Sequence, residues 1–167
     1  MGKQLALVAV LALVVTSLFL AQPANGAPAE EQQASRAYLD SNNIPSSGVA
    51  LEGYCPVAYF AVDKAVRGSK EFAADHKGIT YRFVSADARD MFTKHPEKYV
   101  PAYGGWCAFG MAVKDKFPVD PTNFKIVDGT LLVFLKNSGV DALEIWNGKN
   151  EEKLLKKAAA HWKKVQG

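Results

Sequence analysis

The sequence has little that points to an enzyme or to a nucleic-acid-binding protein. It contains only two cysteines and three histidines, and its formal net charge is +3. Such a balanced charge does not indicate the basic surface that binds nucleic acid. The Gly-x-Ser-x-Gly elbow, the phosphate-binding loop and the dinucleotide fingerprint are all missing. We therefore expect a protein that is not an enzyme and does not bind nucleic acid.

Only one stretch is apolar enough to suggest a membrane or the secretory pathway. Lys3 precedes an apolar run from Leu5 to Leu20, and small residues follow as far as Gly26. This order is typical of a cleaved signal peptide, and the run is shorter than the ~20 residues of a spanning helix. We predict a signal peptide over residues 1–26, cleavage near Gly26, and a secreted or periplasmic protein without stable membrane insertion.

The remaining chain is long enough for one domain with its own core. Residues 27–47 are polar at first and then rich in Asn, Pro and Ser, which predicts an N-terminal arm with a short helix. Residues 48–167 form the predicted main domain. No internal repeat is evident in the sequence.

Alternating and helical patterns predict the elements of the main domain. Residues 79–84 alternate as a half-buried strand does, and Ser85 then suits the N-cap of a helix in which Met91 and Phe92 point inward. Residues 124–135 contain the clearest hairpin. These patterns predict an α+β fold, with a small antiparallel sheet and helices packed around it.

Two further patterns complete this prediction. Asp128-Gly129 lies between two β-rich runs, which favours a primed two-residue turn. Residues 151–165 carry apolar side chains at helical spacing, which predicts an amphipathic helix against the core.

Residues 103–108, YGGWCA, are the most distinctive stretch. Adjacent glycines permit left-handed dihedrals and a close approach of other groups, and Cys107 follows them directly. The other cysteine, Cys55, lies in a predicted turn. The aromatic residues that flank the two cysteines are predicted to wall a small-ligand pocket; they are Tyr54, Tyr103 and Trp106.

Three motifs in this order resemble those of the YHS-domain family, in its exported form with a single module. They are GYCPVAYF at residues 53–60, YRFVSADARDMF at residues 81–92 and PEKYVPAYGGWCA at residues 96–108. The resemblance implies a compact YHS-like domain over residues 48–167 and a role in handling a metal ion, chiefly copper or zinc.

The chain departs from that family's pattern at three positions. Short metal-linked modules carry cysteines where this chain has Val84 and Ala88, so that thiolate site is missing. Many exported relatives have Asp where this chain has Cys55. The second thiol opens a different site, provided that the motifs around Cys55 and Cys107 meet in space.

Three interpretations of the cysteine pair stay open at this point. Cys55 and Cys107 could bind a soft metal ion, with Met111 as a weaker third ligand, because thiolates and thioethers select Cu(I) and thiolates suit zinc. They could form a disulfide, which an exported protein permits. They could also be two separate buried thiols. The remaining candidate ligands, His76 and His95, are expected to be exposed.

Two functions follow as expectations. The first is an exported soft-metal-binding protein for copper or zinc, with its site at Cys55 and Cys107. The second is a non-catalytic binding or scaffold module in which the cysteines are bridged or inert.

Overall fold

The structure, a computed structural model, describes residues 29–167, and the predicted signal peptide and cleavage site lie outside this range. It confirms the α+β class. The helices are α1 Ala29–Ser41, α2 Pro56–Val62, α3 Ala86–Lys94, α4 Pro96–Tyr99, α5 Ala108–Ala112, α6 Ala142–Asn147 and α7 Glu151–Val165. The strands are β1 Ser69–His76, β2 Ile79–Phe83, β3 Asp120–Val127 and β4 Thr130–Phe134. No helix in the described range is long and apolar enough to cross a membrane.

The strands form two separate antiparallel hairpins instead of the single sheet that the sequence suggested. Among the described strands, β1 pairs with β2 and β3 pairs with β4. The predicted Asp128-Gly129 turn has positive φ at both residues, 49° and 73°, as a primed turn requires. Lys77 and Gly78 form the equivalent turn of the first hairpin, with φ of 52° and 80°. Strand β1 is not evident from the sequence because it contains few strong strand formers.

The same order of elements occurs twice, although the sequence shows no evident repeat. Each unit starts with a left-handed turn, Ala50–Gly53 or Ala102–Gly105, followed by a cysteine at the N-cap of a short helix. A hairpin and an N-capped helix come next, and both hairpins shift register at the same place. We call these the first unit, residues 50–99, and the second unit, residues 102–165.

Each unit builds its own hydrophobic core. In the first unit Phe83 packs against Phe92 with ring centroids 5.0 Å apart, and in the second Phe134 packs against Trp146 at 5.4 Å. A third cluster joins the two units, and its buried members are Leu51, Tyr59, Leu131 and Val133. Burial of this shared cluster makes the units one compact domain.

Helix α3 has the predicted cap but not the predicted inner face. Ser85 Oγ accepts a hydrogen bond from the N–H of Ala88 at 3.2 Å, and Phe92 is buried. Met91 is 47 % exposed, so its prediction as an inward residue was wrong. Residues four apart share a helix face, so Ala88 and Phe92 both point to the core. Met91 lies on a neighbouring face of the helix, which is exposed.

The two units end in helices of unequal length. Helix α4 is a single turn whose last residue, Tyr99, is buried. Helix α7 continues for 15 residues and buries Leu154 and Ala158, which confirms the amphipathic helix predicted there. After Tyr99 the chain leaves the first unit and enters the second.

The N-terminal segment, residues 29–47, is hydrogen-bonded to the double-glycine turn at Gly104 and Gly105. The N–H of Asn43 donates to the carbonyl of Gly104 at 2.8 Å, and its side-chain amide donates to the carbonyl of Gly105 at 3.0 Å. The indole N–H of Trp106 donates to the carbonyl of Ser41 at 2.8 Å. The predicted N-terminal arm therefore packs onto the rest of the domain through directional hydrogen bonds.

We expect Gly104→Ala to destabilise the protein more than Gly129→Ala. Both positions have positive φ, 59° and 73°, which costs a residue other than glycine roughly 1–2 kcal/mol. A Cβ atom at Gly104 would also lie 2.5 Å from Asn42 Oδ1 and 2.7 Å from Trp162 Cη2, whereas nothing lies within 4 Å at Gly129. Overpacking of this kind adds roughly 1–3 kcal/mol. Urea unfolding measures the difference, and equal losses would contradict the close packing at Gly104.

Candidate ligand-binding site

The two cysteines occupy equivalent positions in the two units and do not pair. Both are free and fully buried. Cys55 belongs to the core of the first unit, and Cys107 belongs to that of the second. Cys107 Sγ accepts a long hydrogen bond from the N–H of Gly110 at 3.5 Å. Of the three interpretations of the pair, separate buried thiols match this arrangement.

Met111 lies next to Cys107, as predicted, but away from the core that contains Cys55. It is fully buried, and its N–H donates to the carbonyl of Cys107 at 2.9 Å. Within residues 29–167, no group of three or more His, Cys, Asp or Glu side chains could hold a metal ion. Copper and zinc sites need ligands that converge on one point. The side chains present here do not fit such a site, and the soft-metal function stays a prediction.

The histidines that were considered as further ligands differ in environment. His95 is exposed at the end of α3, as predicted. The His76 side chain is only 17 % exposed, so its prediction as an exposed residue was wrong. Strand β1 places its ring edge-on to Phe92, with centroids 6.0 Å apart, and its Nε2 lies 3.2 Å from Glu97 Oε1.

The three predicted pocket aromatics do not share one environment. Tyr54 lies under the guanidinium of Arg67, which is 4.3 Å from the ring centroid. Trp106 is half-buried against the core of the second unit, and its indole N–H donates a hydrogen bond to Ser41 in the N-terminal segment. Tyr103 lines a cavity on the side where the N-terminal segment meets the double-glycine turn.

A first cavity, of about 250 Å³, lies between the two left-handed turns and the N-terminal segment. Leu51 and Glu52 line it from the first unit, and Gly104 and Gly105 line it from the second. Leu51 and Glu52 both have φ of 50°, which costs a residue other than glycine roughly 1–2 kcal/mol. Strained backbone of this kind is often found at functional sites. We call this the corner cavity.

A second cavity, of about 240 Å³, lies beside the first, and we call it the tyrosine cavity. The two share four lining residues, Asn42, Tyr81, Pro101 and Gly104. Aromatic rings and polar groups from α1, the first hairpin, α4, the double-glycine turn and α7 surround the tyrosine cavity. They are Tyr38, Lys77, Tyr81, Glu97, Tyr103, Trp162 and Gln166.

The hydroxyl of Tyr81 has no hydrogen-bond partner among the described residues, although the residue is only 3 % exposed. Buried polar groups are nearly always hydrogen-bonded. Tyr59, which is equally buried, follows this rule because its hydroxyl donates to the carbonyl of Pro121 at 2.9 Å. In the described part of the chain, no fully enclosed side-chain nitrogen or oxygen lacks a partner. The Tyr81 oxygen therefore reaches open space, which the cavity supplies.

Two more tyrosines, Tyr38 and Tyr103, line the same cavity. Their hydroxyls also make no hydrogen bond within residues 30–167. Burial raises the pKa of all three tyrosines; the Lys77 cation partly offsets this effect at Tyr38, and the Glu97 carboxylate raises the pKa of Tyr38 and Tyr81. Because an ordinary tyrosine already has a pKa of about 10, all three stay protonated at physiological pH. Three neutral phenol side chains thus line the cavity.

The charged groups of the tyrosine cavity compensate one another. Lys77 Nζ lies 2.7 Å from Glu97 Oε1, and His76 contacts the same carboxylate oxygen. The hydrogen bond from Lys77 is the main reason that the pKa of Glu97 is lowered, and the same bond raises the pKa of Lys77. The site therefore has one cation and one anion that are already paired.

Sequence reasoning missed this cavity for identifiable reasons. Tyr81 alternates with Ile79 and Phe83, so it was assigned to the apolar face of a strand. Tyr38 and Trp162 come from helices near opposite ends of the described chain. The one available signal was a hydroxyl-bearing side chain on an otherwise apolar strand face.

Comparisons with family models, with curated proteins and with solved structures find no match for this chain. The resemblance to the YHS-domain family therefore stays a prediction.

Tyr81→Phe is expected to leave the free energy of unfolding unchanged or to raise it slightly, because the lost hydroxyl has no partner in the protein. Tyr59→Phe is the matched control. It removes the buried hydrogen bond to Pro121 and leaves a carbonyl unpaired, which costs about 1–3 kcal/mol. Thermal and urea unfolding compare the two. A Tyr81→Phe loss as large as that of Tyr59→Phe would show that the hydroxyl is satisfied internally.

Both thiols are expected to resist 5,5′-dithiobis(2-nitrobenzoate) in the folded protein and to react after denaturation, because both are fully buried and free. We also expect Cu(I) competition titrations to give the same weak binding for the natural protein and for Cys55→Ala and Cys107→Ala. Tight binding of one Cu(I) that both substitutions abolish would establish the metal site instead.

Proposed function

We propose that this protein is an exported, non-catalytic binding module that takes up a small molecule at the tyrosine cavity. The observation that carries this proposal is Tyr81, a buried residue whose hydroxyl reaches the open space of the cavity and lacks a partner among the described residues. A ligand in the cavity could accept or donate a hydrogen bond at this hydroxyl.

The electrostatics of the cavity support binding over catalysis. A general base works best when its pKa lies near the operating pH. The pKa values of Tyr38, Tyr81 and Tyr103 are shifted upward by burial, which makes these phenols poor bases and poor nucleophiles. The Glu97 carboxylate is held by Lys77 and His76. None of the three phenols is adjusted for proton transfer at neutral pH.

The cysteines have a structural role in this proposal. Each lies at the N-cap of a short helix inside the core of its unit. A buried thiol in apolar surroundings behaves as a small hydrophobic group. Binding of a ligand at the tyrosine cavity needs neither thiol.

A ligand-observed NMR screen of small ring compounds with neutral, negative and positive charge tests the proposed function. We expect at least one compound to bind and to shift the amide signals of Asn42, Tyr81 and Gly104. Thr130 is exposed and lines the tyrosine cavity, so Thr130→Trp should fill part of it and abolish that binding. Lys70→Trp, at an exposed strand position elsewhere, is the matched control and should bind normally. Failure of every charge class to bind, or binding that Thr130→Trp does not change, would refute the function.

A further inference from the structure

We propose that the ligand of the tyrosine cavity is an uncharged single-ring molecule that carries oxygen hydrogen-bond acceptors. This inference rests on the proposed function and adds the chemical class of the ligand. It follows from the donors, the size, the aromatic rings and the charge balance of the cavity.

Four neutral groups that can donate a hydrogen bond remain available in the cavity lining. The hydroxyls of Tyr38, Tyr81 and Tyr103 have no partner among the residues that the structure describes, and neither has the indole N–H of Trp162. One oxygen of the Glu97 carboxylate, Oε1, is already occupied by Lys77 and His76. A ligand that brings acceptors can satisfy all four neutral groups, whereas a ligand that brings donors alone leaves the indole N–H unpaired.

The volume and the aromatic walls restrict the shape of the ligand. About 240 Å³ is smaller than the roughly 300–1,000 Å³ of pockets for drug-sized ligands. Tyrosine and tryptophan offer flat faces with a polar tip. The aromatic faces of the protein can pack against the carbon face of one ligand ring. The polar tips of the same side chains can hydrogen-bond to oxygen atoms at the edge of that ring.

Trp162 can serve as such a wall because residue 104 is glycine. A Cβ atom at Gly104 would lie 2.7 Å from Cη2 of the indole, so a larger residue would displace the ring. The glycine lets α7 place Trp162 against the double-glycine turn. The aromatic lining and the left-handed turn are thus parts of one packing arrangement.

The charges around the cavity favour an uncharged ligand. Lys77 and Glu97 are the charged residues in its lining, and they form an ion pair at 2.7 Å. A charged ligand would find no unpaired counter-charge in the lining and would have to compete with this ion pair. A neutral ligand leaves the ion pair intact.

Four probes of similar size separate the possible ligand classes. Methyl β-glucopyranoside and cyclohexane-1,4-dione are uncharged and carry oxygen acceptors as hydroxyls and as carbonyls, respectively. Benzoate carries a negative charge, and cyclohexylammonium carries a positive charge. Dissociation constants come from NMR titration of the purified protein.

We expect one or both uncharged probes to bind more tightly than benzoate and cyclohexylammonium. Binding of the better probe should weaken about three- to tenfold in Tyr81→Phe and in Tyr103→Phe, which corresponds to one lost hydrogen bond. Tyr54→Phe removes a phenol outside the cavity, near Arg67, and should leave the dissociation constant unchanged. Whichever uncharged probe binds better identifies the oxygen source as hydroxyl or carbonyl.

Tighter binding of a charged probe at this cavity would overturn the ligand class and leave the proposed function standing. So would equal affinity of the uncharged probe for the natural protein and both phenylalanine variants. If no probe of any charge binds, the ligand class and the proposed function both fail. Unfolding curves for each variant show whether a loss of affinity reflects a loss of folded protein.

Discussion

The fold around the candidate site depends on the close approach that Gly104 permits. Its carbonyl accepts the N–H of Asn43, and its missing Cβ leaves room for Asn42 on one side and Trp162 on the other. The contact joins the N-terminal segment, the double-glycine turn and the last helix. Because residues from all three line the tyrosine cavity, that cavity exists only while this contact is intact.

Much of the local structure could be predicted because it depends on neighbouring residues. The Ser85 cap, the Asp128-Gly129 turn and helix α7 all follow from short patterns. Met91 and the separation of the two hairpins could not be predicted in this way. Which face of α3 is buried, and which strands pair, is decided by packing between segments that are distant in sequence.

The candidate site was much harder to predict than the fold. Reasoning from residue chemistry favoured Cys55 and Cys107, because thiols are rare in this chain and reactive in general. Both thiols are instead buried, in two separate cores. Tyr81 has ordinary chemistry for a strand residue, and only the three-dimensional structure shows that its hydroxyl has no partner within the described chain. Of the predicted pocket residues, Tyr103 lies at the cavity.

The unequal endings of the two units leave their cores covered to different extents. In the second unit a long helix continues over the core and closes it. In the first unit the corresponding helix stops at Tyr99 after one turn, and the chain that follows, Val100 and Pro101, forms part of the cavity wall. The tyrosine cavity therefore opens beside the end of α4, at a place that no helix of the first unit covers.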